Sequence, residues 1–230
     1  MKPTLLITGA NRGIGLEFTR QYLHDGAQVI ACCRQPESAD ALQQLAQQFP
    51  QQLELVGLDL SHPEQIPALA DYLGERKLDL LISNAGIYGP KGLPLGHYQA
   101  GPFAEIMQIN VLAPLLLVQA LRPNFAQGAK IALLSSKMGS MDDNGSGGAY
   151  FYRASKAALN AIGKSLANDL AAQAHPVALL HPGWVQTEMG GPNAFISALT
   201  SVEGMRKVLD QLTLANTGRF LNYDGSEIPW

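Results

Sequence analysis

Seven short β-prone apolar runs, separated by helix-length segments, constrain this chain more than any other feature. They lie near residues 4–8, 28–33, 53–58, 79–83, 129–135, 176–181 and 219–222. Strands separated by helices cannot close as hairpins. They return in the same direction through right-handed crossovers, which gives a parallel sheet covered on both faces. The expectation is a single three-layer α/β domain over residues 1–230 with about seven parallel strands. With 230 residues, 47% of them apolar, the chain can bury one substantial core. Ser61 with Glu64 and Thr200 with Glu203 read as capping boxes at two helix starts.

An open sheet of this kind binds ligands at the carboxyl ends of its strands. Asp59-Leu60, Asn84-Ala85-Gly86, Ser135-Ser136 and Pro182-Gly183 all fall there. The first strand also runs into Gly9-Ala10-Asn11-Arg12-Gly13-Ile14-Gly15, followed by a helical pattern over residues 16–24. Glycine lets the backbone turn tightly and approach a pyrophosphate, whose charge is then held by free N–H groups at the helix start. The Gly-x-x-x-Gly-x-Gly spacing departs from the better-known Gly-x-Gly-x-x-Gly fingerprint.

Tyr152-Arg153-Ala154-Ser155-Lys156 carries the most chemistry. Residues 148–173 read as one helix, so the four-residue spacing places phenol and ammonium on one face. A free tyrosine has a pKa of about 10, and a cation within hydrogen-bonding range favours the phenolate by roughly 1–3 units. The pair is thus expected to form an acid able to exchange protons in a useful range. Tyr150, two residues earlier, would point about 200° away from Tyr152 and off the Lys156 face.

Thr8-Gly9-x-x-x-Gly13-x-Gly15 and Tyr152-x-x-x-Lys156 together resemble the short-chain dehydrogenase/reductase family, and within it the sniffer-like carbonyl reductase and C-factor-like branch. The resemblance spans almost the whole chain. It extends to Asp59-Leu60, Ser83-Asn84-Ala85-Gly86, Asn110, Ser135-Ser136 and His181-Pro182-Gly183-Trp184-Val185-Gln186-Thr187. It implies a Rossmann-type sheet and hydride transfer between a nicotinamide cofactor and a carbonyl. Tyr152 would then be the proton donor, Ser136 the hydrogen-bond partner of the carbonyl oxygen, and Lys156 the group that lowers the tyrosine pKa and binds the nicotinamide ribose. Asn110 would hold a relay water through its main chain, although a polar residue at a helix start is equally a cap. Gly9, Asn11, Arg12, Gly13, Ile14 and Gly15 would cradle the phosphates, and Asp59 and Leu60 would border the adenine. Asn84, Ala85 and Gly86 would line the adenosine side, and Pro182, Gly183, Val185 and Thr187 the nicotinamide end. The long interval from Ser136 to Tyr152 also resembles the sniffer-like branch, with Ser135 and Ser140 as alternatives for the hydroxyl.

The second strand ends on Cys33, followed by Arg34, where an NAD-binding enzyme usually places a carboxylate for the ribose 2′-hydroxyl. Arg34 and Arg12 could instead clamp a 2′-phosphate through charge-assisted bonds, which favours NADP(H); otherwise they are solvated surface arginines. Ile87, Tyr88, Met138, Met141, Trp184 and Met189 form an apolar set, with Ser136, Met138, Tyr152 and Trp184 expected on the substrate. That set suits a hydrophobic aldehyde, ketone or quinone. The short segment over residues 188–200 points to an open pocket.

A net charge of −3 without a basic block argues against nucleic acid. Apolar stretches such as residues 111–118 fall short of the ~20 residues that span a bilayer. The chain starts with a strand rather than a signal sequence, so a cytoplasmic protein is expected. Cys32 and Cys33 are adjacent in a strand, and the five histidines form no ligand pair, so neither disulfide nor metal site is expected. Residues 111–121 are apolar nearly all round, which implies either a homodimer or burial under neighbouring elements. The rival functions are a non-catalytic sensor of nicotinamide cofactor and a dehydratase or epimerase, the latter usually with a longer carboxy-terminal domain.

Overall fold

The computed structural model describes residues 2–230. Seven strands form: β1 (Thr4–Thr8), β2 (Gln28–Cys33), β3 (Leu53–Gly57), β4 (Leu78–Ser83), β5 (Phe125–Leu134), β6 (Val177–His181) and β7 (Arg219–Asn222). All pair in parallel, in the order β3-β2-β1-β4-β5-β6-β7. The order runs one way from β1 to β3 and the other way from β4 to β7, so the crevice opens between β1 and β4.

The inner strands β1, β2, β4 and β6 are buried on both faces, which explains why they read as continuous apolar runs rather than alternation, while the edge strand β3 exposes Glu54 and Gly57. Leu5 and Ile7 point into one core with Phe18, Leu42 and Met205. These come from α1 (Gly13–His24), α2 (Asp40–Gln48) and α7 (Ala198–Asp210). Leu6 points the other way, to a second core with Leu69, Leu117 and Leu159. Those belong to α3 (Gln65–Leu73), α5 (Ala113–Leu121) and α6 (Tyr150–Asp169).

Both expected capping boxes are corrected. The Ser61 hydroxyl donates to Asp59 Oδ1 at 2.7 Å, and α3 begins four residues later with no side-chain cap. The α7 cap is Ser197, whose Oγ accepts from the Thr200 N–H at 3.1 Å, so Thr200 lies inside the first turn. The helix read over residues 148–173 starts at Tyr150, because Gly147, Gly148 and Ala149 all hold positive φ (64°, 66° and 47°). It ends at Asp169, before a separate 3-10 turn at Ala171–Gln173.

The Asn110 region departs further from expectation. α4 (Ala100–Met107) passes into a π-helical turn, Gln108–Leu112, and then into α5. The whole run, Ala100–Asn124, is 25 residues long, and an 18-residue stretch within it has mean hydropathy 1.6, enough by length and composition to cross a bilayer. Reading residues 111–118 alone missed it, because Gln108 and Asn110 break up the apolar pattern. In the fold, Ala113, Leu117, Val118 and Leu121 are buried against the sheet. Leu115 borders a shallow hollow of about 260 Å³ shared with Ala161, Ile162 and Leu166 of α6.

Candidate active site

The glycine turn is shaped by its own backbone. Gly9 and Gly13 hold φ of +66° and +54°, where a side chain would be strained. A Cβ at Gly15 would lie 2.2 Å from the Gly9 carbonyl oxygen, so only glycine lets α1 start against the loop. Arg12 precedes α1 with extended backbone and no side-chain cap, and the first turn carries no acidic residue. Its N–H groups are therefore free for an anion. Asn11 and Ile14 line this turn half-buried, and Gly15 is buried beneath it.

Thr8 and Asn84 join β1 to β4 across the crevice. Thr8 Oγ1 accepts from the Asn84 and Ala85 N–H groups at 3.1 Å each. The Asn84 amide donates to the Thr8 and Gly9 carbonyls at 2.9 and 3.1 Å. Asn84 is thus engaged in shaping the turn, together with Thr8, whose hydroxyl the motif reading passed over. Thr8 opens the family motif, but its hydroxyl had been given no role.

Asn110 is wholly buried and is no helix cap. Its Oδ1 accepts from the Ile87 N–H at 2.9 Å, and its Nδ2 donates to the Ile87 carbonyl at 2.8 Å and to Ser155 Oγ at 3.0 Å. Ser155 in turn donates to the Tyr152 carbonyl at 2.8 Å. Gly86 sits at the meeting point: a Cβ there would lie 3.1 Å from Asn110 Oδ1 and 3.6 Å from Lys156 Nζ.

Lys156 is 4% exposed and donates to the Leu134 carbonyl at 2.7 Å. Burial pushes its pKa down to about 8. Tyr152 is 9% exposed, and the expected lowering of its pKa is reversed. Burial pushes the phenol up to about 12; the neighbouring Ser136 side chain works against the rise and Tyr88 adds to it. The ammonium stands 5.8 Å from the Tyr152 ring centroid and is held by a carbonyl, so desolvation wins. At neutral pH the phenol keeps its proton.

The three serines near β5 separate cleanly. Ser135 Oγ donates to Asn160 at 2.5 Å. Ser140 Oγ donates to the Trp230 carbonyl at 3.3 Å and accepts from the Asp143 N–H at 3.1 Å. Ser136 accepts from the Met138 N–H at 3.2 Å and is the serine that reaches Tyr152. Gly139 seats this turn on α6, since a Cβ there would lie 2.8 Å from the Lys156 carbonyl carbon.

Residues 182–187 close the crevice from the other side. Gly183 holds φ +83°, Val185 is buried, and Thr187 packs on the glycine turn, its Cγ2 3.2 Å from where a Gly13 Cβ would be. Pro182 accepts from Ser201 Oγ at 2.5 Å. Trp184 is half exposed; its Nε1 donates to the Gly190 carbonyl at 2.8 Å, and its ring meets Phe195 edge-on at 4.8 Å. Phe195, 82% exposed, was missed because a lone aromatic in a glycine-rich loop gives no periodic signal. Met141 is corrected: it lines a different hollow, of about 320 Å³, with Ala157, Lys164 and Trp230.

Arg12 pairs with Glu188 on the surface. Arg34 lies near Asp59, whose carboxyl burial would raise. Bonds from Ser61, with help from Arg34, hold it below the usual carboxylate range instead. Leu60 beside it is buried. Among the described residues, no three His, Cys, Asp or Glu side chains cluster as metal ligands.

A family model described as short chain dehydrogenase matches residues 3–194. C-signal of Myxococcus xanthus is 46% identical over 155 residues, 66% of this chain and 93% of that protein. A 1-hydroxy-2-glutathionyl-2-methyl-3-butene dehydrogenase of Rhodococcus sp. (strain AD45) is 36% identical over 234 residues, covering 99% of each chain. Among solved structures, the carbonyl reductase Sniffer of D. melanogaster superimposes with a TM-score of 0.93 at 31% identity, over 100% of both chains. The NADPH-bound carbonyl reductase from chicken fatty liver gives 0.92 at 35% identity, again over 100% of both. With the family match spanning most of the chain and the Tyr152–Lys156 pair seated at the carboxyl edge of the sheet, the chain belongs to the short-chain dehydrogenase/reductase family.

Proposed function

We propose that this protein reduces hydrophobic aldehydes, ketones or quinones to alcohols with NADPH, and that Tyr152 donates the proton. The observation that carries the reading is the convergence of a protonated, buried Tyr152 with Ser136 and Lys156 beside Gly86 and Asn110.

The residues present fit the cofactor. The cradle at Gly9, Asn11, Arg12, Gly13, Ile14 and Gly15 suits a pyrophosphate, because the α1 N–H groups have no competing side chain. Arg34, with no carboxylate at the end of β2, suits a 2′-phosphate. Asp59 and Leu60 would flank the adenine, Asn84, Ala85 and Gly86 the adenosine side, and Pro182, Gly183, Val185 and Thr187 the nicotinamide end. Bound NADPH would supply hydride to the carbonyl carbon. As charge builds on the carbonyl oxygen, the Ser136 and Tyr152 hydroxyls are two donors in a water-poor site. Tyr152 passes its proton to that oxygen. Lys156 would hold the ribose and, with a pKa near 8, could hand on a proton, while Asn110 would hold the relay water. Met138 and Trp184 give the entrance its apolar character. NADPH in the chicken carbonyl reductase supports the cofactor choice.

The hollow between α5 and α6 is proposed as the seam of a homodimer, checked by sedimentation, and the cytoplasm as the location, in keeping with two free buried cysteines. NADPH absorbance, followed with a panel of aldehydes, ketones and quinones, tests the main reading. Turnover is expected on several, and Tyr152→Phe should lose 10²–10⁴-fold in kcat with NADPH affinity intact. The signalling name carried by the Myxococcus relative favours a second reading, a cofactor-binding protein without turnover. A parent protein that binds NADPH and reduces nothing in the panel would favour that one.

A further inference from the structure

We propose that Tyr88 is a positioning residue for the Tyr152 proton donor, its stacked ring holding the phenol in line and keeping water from it. This rests on Tyr152 being the acid. The two rings lie nearly parallel, 24° apart in plane, with centroids separated by 4.5 Å. Tyr152 sits on a helix whose face borders an open crevice, yet it is only 9% exposed. With Lys156 Nζ over its ring at 5.8 Å, Tyr88 supplies a second flank.

Tyr88 can act in this way because it is itself fixed at two points. The residue before it, Ile87, has both its N–H and its carbonyl held by the wholly buried Asn110. Lys91 places its ammonium over the Tyr88 ring at 5.4 Å and donates to the Met189 carbonyl at 3.1 Å. Those contacts link the segment after β4 to the far lip of the crevice. A ring anchored this way limits how far the Tyr152 phenol can swing toward solvent. A reacting group misplaced by about 1 Å loses about 10²-fold in rate, so a small freedom in that ring would show in kcat.

Electrostatics supports the same role. The titratable groups facing Tyr152 are Lys156 on its own helix and Tyr88 from the β4 side, with Lys91 beyond; Ser136 and Asn110 add neutral dipoles. In the alkaline range, charge repulsion from Tyr88 disfavours the Tyr152 phenolate and holds back loss of the donor's proton there.

The test uses the full chain with NADPH and one carbonyl that the parent reduces. Tyr88→Leu removes the stack and should lower kcat about 10–100-fold, with KM for NADPH and carbonyl within about twofold; Tyr88→Phe, which keeps the ring, should recover kcat to within about threefold. The pH profile adds a readout that mere packing would not move. Loss of the Tyr88 phenol in Tyr88→Phe should shift the alkaline fall in kcat to lower pH. A Tyr88→Leu enzyme with the parent's kcat, or with its loss confined to KM, would overturn the proposal and make Tyr88 a simple pocket wall. Should Tyr88→Leu fail to fold, Lys91→Met loosens the ring from behind: a fall of about 3–10-fold in kcat alone supports the role, and an unchanged kcat sinks it. An inert parent, or an active Tyr152→Phe, refutes the assigned reaction instead.

Discussion

Arg34 stands just past Cys33, the last residue of β2, with Asp59 nearby across the sheet edge. A guanidinium there would contribute one or two charge-assisted bonds to a 2′-phosphate and at most a weaker bond to the neutral oxygen of a 2′-hydroxyl. Hydrogen bonds to charged groups are worth about 1.5–3 kcal/mol, so Arg34→Leu should lower kcat/KM for NADPH about 10–100-fold. The value for NADH should stay within about twofold, as steady-state kinetics with both cofactors will read. The identities of Tyr152, Lys156, Gly9, Gly13 and Gly15 were legible because each depends on short-range spacing. The sense of the Tyr152 pKa was not. It depends first on burial and least on Tyr88, while the Leu134 carbonyl holds the Lys156 ammonium, and these are contributed by distant parts of the chain. Ser61 misled for a similar reason, since Asp59 takes its hydroxyl before a helix can.

Strands were the most legible elements, since a run buried on both faces stays apolar at every position. β5 is the exception. It begins at Phe125, before Gln127 and Gly128, which broke the apolar run from which the strand was read. The π turn at Gln108–Leu112 left no sequence mark at all. Such turns arise where one extra residue is accommodated within a helix, often at functional sites, and this one places Asn110 against Ile87 and Ser155. Deleting Leu112 should restore α-helical winding and turn the preceding residues by about 100° relative to α5. The Asn110 bonds would be lost, and kcat should fall at least 10²-fold while far-UV circular dichroism retains its helical signal. Full activity in the deletion would show that the π turn has no part in holding the site.

Across the whole molecule, His181 links stability to pH. It ends β6 opposite Asn222 of β7, and its Nδ1 is buried without a hydrogen-bond partner among the described residues. Burial, then the charge of Lys137, push its pKa down to about 4 from 6.5. Between those values the unfolded chain takes up a proton that the folded one refuses, so stability falls as pH drops through this window. The full loss is about 3 kcal/mol, from about 1.4 kcal/mol per unit. The melting temperature of the parent should therefore drop more steeply from pH 7 to pH 4 than that of His181→Asn. Equal slopes would place the acid sensitivity elsewhere. Lys156 acts in the opposite pH range. Its folded pKa of about 8 lies below the unfolded value, so the strain of burying its charge eases as pH rises from about 8 toward 10.5.

The place of β1 bears on how the protein is made. It is made before the other six strands but ends in the middle of the sheet, where Leu5 pairs with Leu80, 75 positions later (80 − 5). Until that partner leaves the ribosome, one side of β1 is a bare apolar edge able to join other nascent chains. A ribosome stalled before residue 78 would hold a half-zipped, adhesive fragment, and yield in a producing cell should follow the supply of chaperones more closely than the melting temperature of the finished enzyme.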